Sequence, residues 1–242
     1  MWLGGRGGCM RDVSVVMAAY NEEDRIQEAM TQVLNQEFVH ELIVIDDGST
    51  DSTADKAANI MDSRVTLIRH PINRGKGAAL RTGFAAASAP YVAVHDADLE
   101  YDPADIERCL KPLRDGRADV VYGSRFIGSD EHRVLYYWHS VGNRVLTTLS
   151  NMVTNLNLTD METCTKVFTR ETIQSLVLTE DRFGFEPEVT AKVALGGYRV
   201  YEVGISYSGR TYAEGKKIGW RDGVRAVYII GKHARLSRRA QG

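Results

Sequence analysis

The stretch Tyr91–Pro103, YVAVHDADLEYDP, decides how this chain is read. Tyr91–Val94 is short, apolar and largely β-branched or aromatic, the pattern of a buried strand. It runs directly into Asp96-Ala97-Asp98, with Glu100 two residues on. Carboxylates at i, i+2 and i+4 just past a strand end can converge on one point. Such a set serves a hard divalent cation, Mg²⁺ or Mn²⁺, which takes oxygen ligands and keeps positions for water and phosphate. The C-terminal edge of a strand in an open α/β sheet is also where ligands bind. Taken alone, the stretch reads equally well as a solvated acidic turn, with Asp102 and Pro103 starting a helix.

Outward from this stretch the pattern repeats. Val13–Ala19 is an apolar strand that ends in Tyr20-Asn21-Glu22-Glu23, followed by a helix to about Gln36 with Ile26, Met30, Val33 and Leu34 on one face. Leu42–Ile45 is a strand ending in Asp46-Asp47-Gly48-Ser49-Thr50-Asp51, with a helix through Met61. Val65–Ile68 is a third strand, His70–Lys76 a loop, and Gly77–Ala87 a helix of small residues able to pack closely on a sheet. After the central stretch come a helix over Pro103–Leu113, a strand at Asp119–Tyr122, and Gly123-Ser124-Arg125. Strands that are apolar on both faces and alternate with helices predict a mostly parallel, Rossmann-like sheet covered on both sides. No Gly-x-Gly-x-x-Gly follows the first strand, which disfavours a classical dinucleotide fold.

Past Arg125 the alternation stops. Helices are expected over Val134–Asn155, Arg170–Val177, Phe185–Leu195 and Trp220–Arg239. Asp160–Phe168, DMETCTKVF, is a polar-to-apolar element, Arg199–Val203 a late strand, and Ser206–Gly219 a loop rich in glycine and base. The expected organisation is a disordered lead-in over 1–12, a main domain over 13–219 divided at 125/126 into a nucleotide half and an acceptor half, and a basic C-terminal helix over 220–242.

At 242 residues the chain can bury a sizeable core. Its net charge of −2 gives no global argument for nucleic acid. The C-terminal segment differs: from Trp220 to Gly242 there are six Lys/Arg and one acid, Asp222. Three scattered cysteines, Cys9, Cys109 and Cys164, fit neither a zinc ribbon nor a disulfide framework. No apolar run approaches the length of a membrane span. A cytoplasmic protein is expected, peripheral on the cytoplasmic membrane face if its basic helix meets anionic lipid.

In a parallel sheet the clusters after the first, second and fourth strands share one edge and can line one cleft. Packed carboxylates repel unless a cation or hydrogen-bond donors offset them. Asn73-Arg74-Gly75-Lys76-Gly77 adds a basic, glycine-rich turn opening a helix, suited to a diphosphate. Acids for a metal beside a basic turn point to a nucleoside diphosphate substrate.

The ordered motifs AYNEE, DDGSTD, NRGKGAA and DADLEYDP resemble those of family 2 glycosyltransferases of the GT-A fold, and within them the polyprenyl-phosphate (dolichyl-phosphate) mannosyl- and glucosyltransferase branch. The likeness covers Val13 to Arg125, with a weaker continuation in DMETCTKVF, RFGFEPE and GRTYAEGKKIGW. It implies an inverting transfer from a GDP- or UDP-linked sugar to a polyprenyl phosphate. By that likeness Tyr20, Glu22 and Asp47 hold base and ribose, and Asp96 and Asp98 hold metal and diphosphate. Glu100, where the branch often has Gln, is a third ligand of different charge. Arg125 meets the acceptor phosphate. Ala18 stands where the family often has Pro, and the Gly-Phe usual after the Cys164 position is replaced by Thr165-Lys166.

The chemistry then asks little of the protein beyond charge and position. Lys76, with Lys216 or Lys217, assists the metal in offsetting the leaving diphosphate. A phosphate monoester acceptor is already ionised, so Arg125 and Arg133 need only position it. An alcohol acceptor would instead require a base, for which Glu186 and Glu188 are candidates; both read equally as helix-cap acids. His95 reads as core rather than ligand, and Tyr136, Tyr137 and Trp138 as core or interface rather than a sugar platform. The alternatives are a soluble glycosyltransferase with an alcohol acceptor and, from another class, a nucleotidyltransferase or a nucleotide-sugar binding protein.

Overall fold

Seven strands form one sheet in the computed structural model, which describes residues 10–128, 136–209 and 220–240, the last with backbone alone at 220–222 and 234–240. In chain order the strands are β1 (Val13–Ala19), β2 (Val39–Asp46), β3 (Val65–Arg69), β4 (Tyr91–Val94), β5 (Val120–Ser124), β6 (Lys166–Thr169) and β7 (Val200–Gly204). The helices are α1 (Ile26–Leu34), α2 (Thr53–Ala58), α3 (Lys76–Ala86), α4 (Asp105–Arg114), α5 (Tyr137–Thr154), α6 (Arg170–Ser175), α7 (Phe185–Leu195) and α8 (Trp220–Ala240). The spatial order is β3-β2-β1-β4-β6-β5-β7.

The pairs β1·β2, β2·β3, β1·β4 and β5·β7 are parallel. Only β6 is reversed, antiparallel to both β4 and β5. The mostly parallel, two-sided sheet expected from the alternation is therefore present, with one element the alternation did not announce. DMETCTKVF becomes a strand only from Lys166 on, and that strand separates β4 from β5.

The central strands owe their place to apolar character on both faces. Val13, Val15, Val16 and Met17 of β1 and Leu42, Ile43, Val44 and Ile45 of β2 are all fully buried. Residues of the edge strands β3 and β7 are mostly half-exposed. The α1 face read from periodicity is the buried one: Ile26, Met30, Val33 and Leu34, joined by Ala29. The small residues of α3 serve close approach. A Cβ on Gly83 would lie 2.3 Å from Cγ1 of Val16 and 2.8 Å from Cδ1 of Ile45.

Of the two readings of Tyr136, Tyr137 and Trp138, core or interface, the core one fails: they are 42%, 73% and 77% exposed at the start of α5. In α8, Val224, Val227 and Tyr228 face outward, while Ala226, Ile229, Ile230 and His233 are buried, with α8 packed on α5 and α7. Among the described residues no helix is long and apolar enough to cross a membrane.

Candidate active site at the sheet edge

Parallel strands end on one edge, and a reversed strand begins there. The C-terminal edge of this sheet thus collects the segments after β1, β2, β3, β4, β5 and β7, together with the residues that lead into β6. The chain winds outward over β1, β2 and β3 and then returns to β4 on the other side of β1. The crevice between the β1 and β4 ends is a topological switch point, where open α/β sheets bind ligands. His95–Glu100 lies on one side of it and Tyr20–Glu23 on the other.

The first two turns are tied together. Asn21 N–H donates to Ser49 Oγ at 3.0 Å, and Asn21 Oδ1 accepts from Thr50 N–H at 2.9 Å. Tyr20 is exposed. Glu22 is buried, with its backbone N–H on Thr53 Oγ1 and Arg25 Nη1 3.6 Å from its carboxylate. Asp47 does something the motif did not announce. Its carboxylate accepts from Arg74 N–H (3.1 Å), Gly75 N–H (2.7 Å) and the His70 ring at Nδ1 (2.7 Å). Asp47 therefore shapes the basic turn. The turn admits only glycine at 75: φ is +99°, and a Cβ would sit 2.3 Å from the Asp181 carbonyl oxygen.

This turn delivers Lys76 to the centre of the site. Its Nζ lies 3.0 Å from Asp96 Oδ2, 3.3 Å from Glu186 Oε1 and 3.6 Å from Cys164 Sγ. Burial alone would lower the ammonium's pKa, but the charges around it, Asp96 foremost, hold it well above the ordinary lysine value. Asp96 is kept ionised in turn: burial pushes its carboxyl up, and Lys76 outweighs that push. The thiol of Cys164, raised by burial and then by Asp96, stays neutral. His95 is buried and driven down to about 4 by burial, so it stands as a neutral core residue beside the acids.

Glu100, expected as a third ligand, meets a tyrosine across the edge. Its Oε2 accepts from Tyr207 O–H at 2.7 Å, and Leu99 before it has φ +62°. Asp98 Oδ1 accepts the Glu100 backbone N–H at 3.1 Å. Among the described residues no three His, Cys, Asp or Glu side chains gather as a metal cage. Asp96 and Asp98 could hold a metal, with Glu100 two residues on. Two carboxylates two residues apart, one of them already carrying an ammonium, suit a cation that takes its other ligands from diphosphate and water. Arg133, Lys216 and Lys217 lie outside the described residues.

Arg125 is committed to a partner. Its Nε and Nη2 lie 2.6 and 2.7 Å from the two oxygens of Asp160, its backbone N–H is at 3.1 Å, and its guanidinium stacks 5.1 Å from the Tyr207 ring centre. The two acids of RFGFEPE separate cleanly. Glu188 takes N–H donors from Thr179 and Glu180 and an ion pair from Lys192 at 2.7 Å, so it caps structure. Glu186 faces Lys76 and belongs to the site. Asp160 and Glu162 were not singled out from sequence. Their signal was present: acids at alternate positions before a strand, the mirror of Asp96 and Asp98 after one.

A doubly wound sheet with a carboxylate–ammonium pair at its switch point fits a glycosyltransferase of the GT-A kind, and comparison with known proteins shows the family. The family model described as "Glycosyl transferase family 2" matches residues 14–177, and the chain belongs to that family. It is 31% identical to an uncharacterized glycosyltransferase of Mycobacterium bovis, over 86% of this chain and 90% of that one. It is 28% identical to undecaprenyl-phosphate 4-deoxy-4-formamido-L-arabinose transferase of Proteus mirabilis, over 84% of this chain and 62% of that enzyme's length. Its fold matches glucosyl-3-phosphoglycerate synthase of Mycobacterium tuberculosis, crystallised with Mn²⁺, UDP and phosphoglyceric acid. The TM-score is 0.72 at 21% identity, over 95% of this chain and 84% of the other.

Proposed function

We propose that this glycosyltransferase moves a sugar, with inversion, from a GDP- or UDP-linked donor to a polyprenyl phosphate, and that it requires Mg²⁺ or Mn²⁺. The observation that carries the donor reading is the Lys76–Asp96 contact at the switch point, with Asp98 two residues on. An ammonium and two carboxylates are what a metal–diphosphate pair needs from a protein: one neutralises phosphate oxygens, the others ligate the ion.

A divalent ion held by Asp96 and Asp98 would offset the charge that builds on the leaving diphosphate. Lys76 turns from its carboxylate partners to the phosphate oxygens, and the α3 N-terminus beside it presents backbone N–H groups. Asp47 keeps that turn in register, and Tyr20 and Glu22 line the side where base and ribose would rest. Lys216 and Lys217 complete the cationic cover. On the acceptor side, a phosphate nucleophile needs no base, and Arg125, fixed by Asp160, and Arg133 orient it.

The acceptor class is supported by the Proteus relative, which by its name acts with undecaprenyl phosphate. It is also supported by the outward apolar face of α5 and α8. Tyr137, Trp138, Val224 and Tyr228 are each more than half exposed there, α5 carries no acid, and α8 carries one against six basic residues. A face of this composition suits peripheral contact with an anionic membrane, where a lipid-linked acceptor presents its phosphate. The deciding experiment supplies Mn²⁺, UDP- and GDP-sugars and polyprenyl phosphate in vesicles, and follows nucleotide release and the lipid product by mass spectrometry. UDP or GDP with a sugar-phosphate lipid is expected. Pyrophosphate release, or transfer only to a soluble alcohol, would overturn the proposal.

A further inference from the structure

The basic turn that carries Lys76 rests on a segment about a hundred residues further along the chain, Glu180-Asp181. Helix α3 opens at Gly75 without a side-chain cap, so its first N–H groups need acceptors from elsewhere. One acceptor comes from this segment: the Asp181 carbonyl takes the Ala78 N–H at 3.1 Å. The approach is close enough to dictate a second glycine besides Gly75. A Cβ at Gly77 would lie 2.2 Å from the Glu180 carbonyl oxygen. One turn further along α3, Arg81 grips the same two residues. Its Nη1 donates to the Glu180 carbonyl at 2.7 Å, and its Nη2 pairs with the Asp181 carboxylate. The main chain at 180 and 181 is thus a strap laid against the start of α3, touching the residues on both sides of Lys76.

Glu180 spends each of its polar groups on a different helix. Its carbonyl meets α3 through Arg81. Its N–H donates to Glu188 of α7 at 2.8 Å. Its buried carboxylate meets α8: Arg225 Nε and Nη2 lie 3.1 and 2.8 Å from Oε2, and Lys232 Nζ lies 3.7 Å from Oε1. Arg225 and Lys232 are seven residues apart, two turns along one face of the helix. The Arg225 guanidinium also stacks 5.2 Å from the centre of the Tyr228 ring, which holds its fork in place. An ion pair with a buried member is weak evidence for stability, and its best-attested use is to fix one arrangement against others. The arrangement fixed here is that of the strap, and with it the first turn of α3.

We propose that Glu180 is a positioning residue for donor binding, and that α8 acts on the diphosphate turn through it. This rests on the nucleotide-sugar reading above. With Arg225 on Glu180, the strap caps α3 and Lys76 stands ready at Asp96. Without Arg225 the buried carboxylate seeks water, the strap loosens, and the α3 N-terminus loses the carbonyl that caps it. The donor must then order the turn as it binds, and that ordering is subtracted from its affinity. Glu180 and Arg225 act through the turn and need not touch the donor.

The test is calorimetry on the full chain with Mn²⁺ and UDP or GDP, well below each melting midpoint. It compares wild type, Glu180→Gln, Arg225→Gln, Arg225→Lys and the double variant Glu180→Gln with Arg225→Gln. Arg199→Gln is the control: it breaks an ion pair with Asp119 at the edge strand β7, and its arginine is as exposed as Arg225. Glu180→Gln and Arg225→Gln should each weaken the nucleotide about tenfold. The double variant should be no weaker than either single one, since the pair acts as a unit. Arg225→Lys should stay within about threefold, because a cation remains for Glu180, and Arg199→Gln should bind as wild type does. Reciprocity supplies a measurement that stands even if a variant fails to fold: nucleotide with Mn²⁺ should slow amide hydrogen exchange in α8 of the wild type as well as in α3. Wild-type affinity in Arg225→Gln would overturn the proposal. Additive losses, an equal loss in Arg199→Gln, or α8 exchange blind to nucleotide would overturn it too. A wild type that binds neither UDP nor GDP would sink the donor reading and this inference with it, a failure recognisable before any variant is made.

Discussion

Replacing Arg125 by Ala should cost the protein far more in stability than a surface ion pair would. Asp160 is fully buried, and four donors serve its carboxylate: Arg125 Nε at 2.6 Å, Nη2 at 2.7 Å, the Arg125 backbone N–H at 3.1 Å and Asn143 Nδ2 at 3.0 Å. Burial would raise this carboxyl, but the Arg125 guanidinium holds it below the usual carboxylate range. Arg125→Ala removes two of the four donors and the cation that is ion-paired with it among the described residues, leaving a poorly compensated buried anion, a loss of about 3–5 kcal/mol. In a domain of this size 1 kcal/mol moves the melting temperature by roughly 2–4 °C, so a drop of about 6–20 °C is expected. Arg125→Met combined with Asp160→Leu should recover much of that loss, because no orphan charge remains. The assay is a reversible thermal melt by circular dichroism for wild type, both single variants and the double variant. A melt of Arg125→Ala within about 2 °C of wild type would refute the reasoning. Lost transfer without lost stability would mean that the guanidinium serves the acceptor and that Asp160 finds its donors elsewhere.

Asp98→Asn should lower sugar transfer on the order of a hundredfold or more and leave the melt near wild type, since the side chain sits at a loop end and not in the core; near-normal transfer with EDTA present would remove the metal from the mechanism. Glu162 predicts a pH slope. Its folded pKa is raised from 4.5 to about 8, so between those values the folded state holds a proton that the unfolded chain has released. Stability should therefore fall as pH rises through that window, by at most about 1.4 kcal/mol per unit, and level off above it. Melts from pH 5 to 9 should show a flatter profile for Glu162→Gln, and identical profiles would count against a protonated Glu162. Vesicle co-sedimentation should favour anionic over neutral lipid, weaken in high salt and drop on Trp138→Ser with Tyr228→Ser; full-length protein that ignores anionic vesicles at low salt would leave the α5–α8 face without a membrane role.

How much of this was legible in the sequence depends on where the information lies. Strands such as Val13–Ala19 and Tyr91–Val94 could be bounded to the residue because both faces are buried and an unbroken apolar run has sharp ends. The α1 face was legible because a helix half in water must show a period. That Asp96 and Asp98 fall at the sheet edge beside the β1 turn was legible because strand ends in a parallel sheet share an edge. What could not be read is what depends on side chains meeting across distance. Asp47 was read in DDGSTD as a contact for base and ribose; that its oxygens also accept from the N–H groups of residues 74 and 75 is fixed only once the β3–α3 turn has folded back. Glu100 was read as a third ligand; that Leu99 before it lies in the left-handed region and that its Oε2 meets Tyr207 could not be read from spacing. In α8 the sequence showed a basic helix without saying which side of it would be covered, because α5 and α7 decide that.

The reversal of β6 links the two halves of the site. Had this strand run parallel to its neighbours, the segment preceding it would have entered from the opposite edge of the sheet. Asp160, Glu162, Thr163 and Cys164 would then lie at the far end of the core from Asp96. Running antiparallel between β4 and β5, it begins where they end, with Lys166 paired to Val94 on one side and Tyr122 on the other. One reversed strand thus places Cys164 against Lys76 and Asp160 against Arg125. It also accounts for the burial of Lys166: at the first position of a central strand there is no path to solvent, so its ammonium must be met by the carbonyls of Met161 and Thr163, which holds the acidic segment in a tight turn at the mouth. The turn that leads the acidic segment into β6 is therefore built by the same residue that anchors the strand. A substitution at Lys166 should loosen that turn and the strand together, and a thermal melt that leaves Lys166→Met at wild-type stability would refute this.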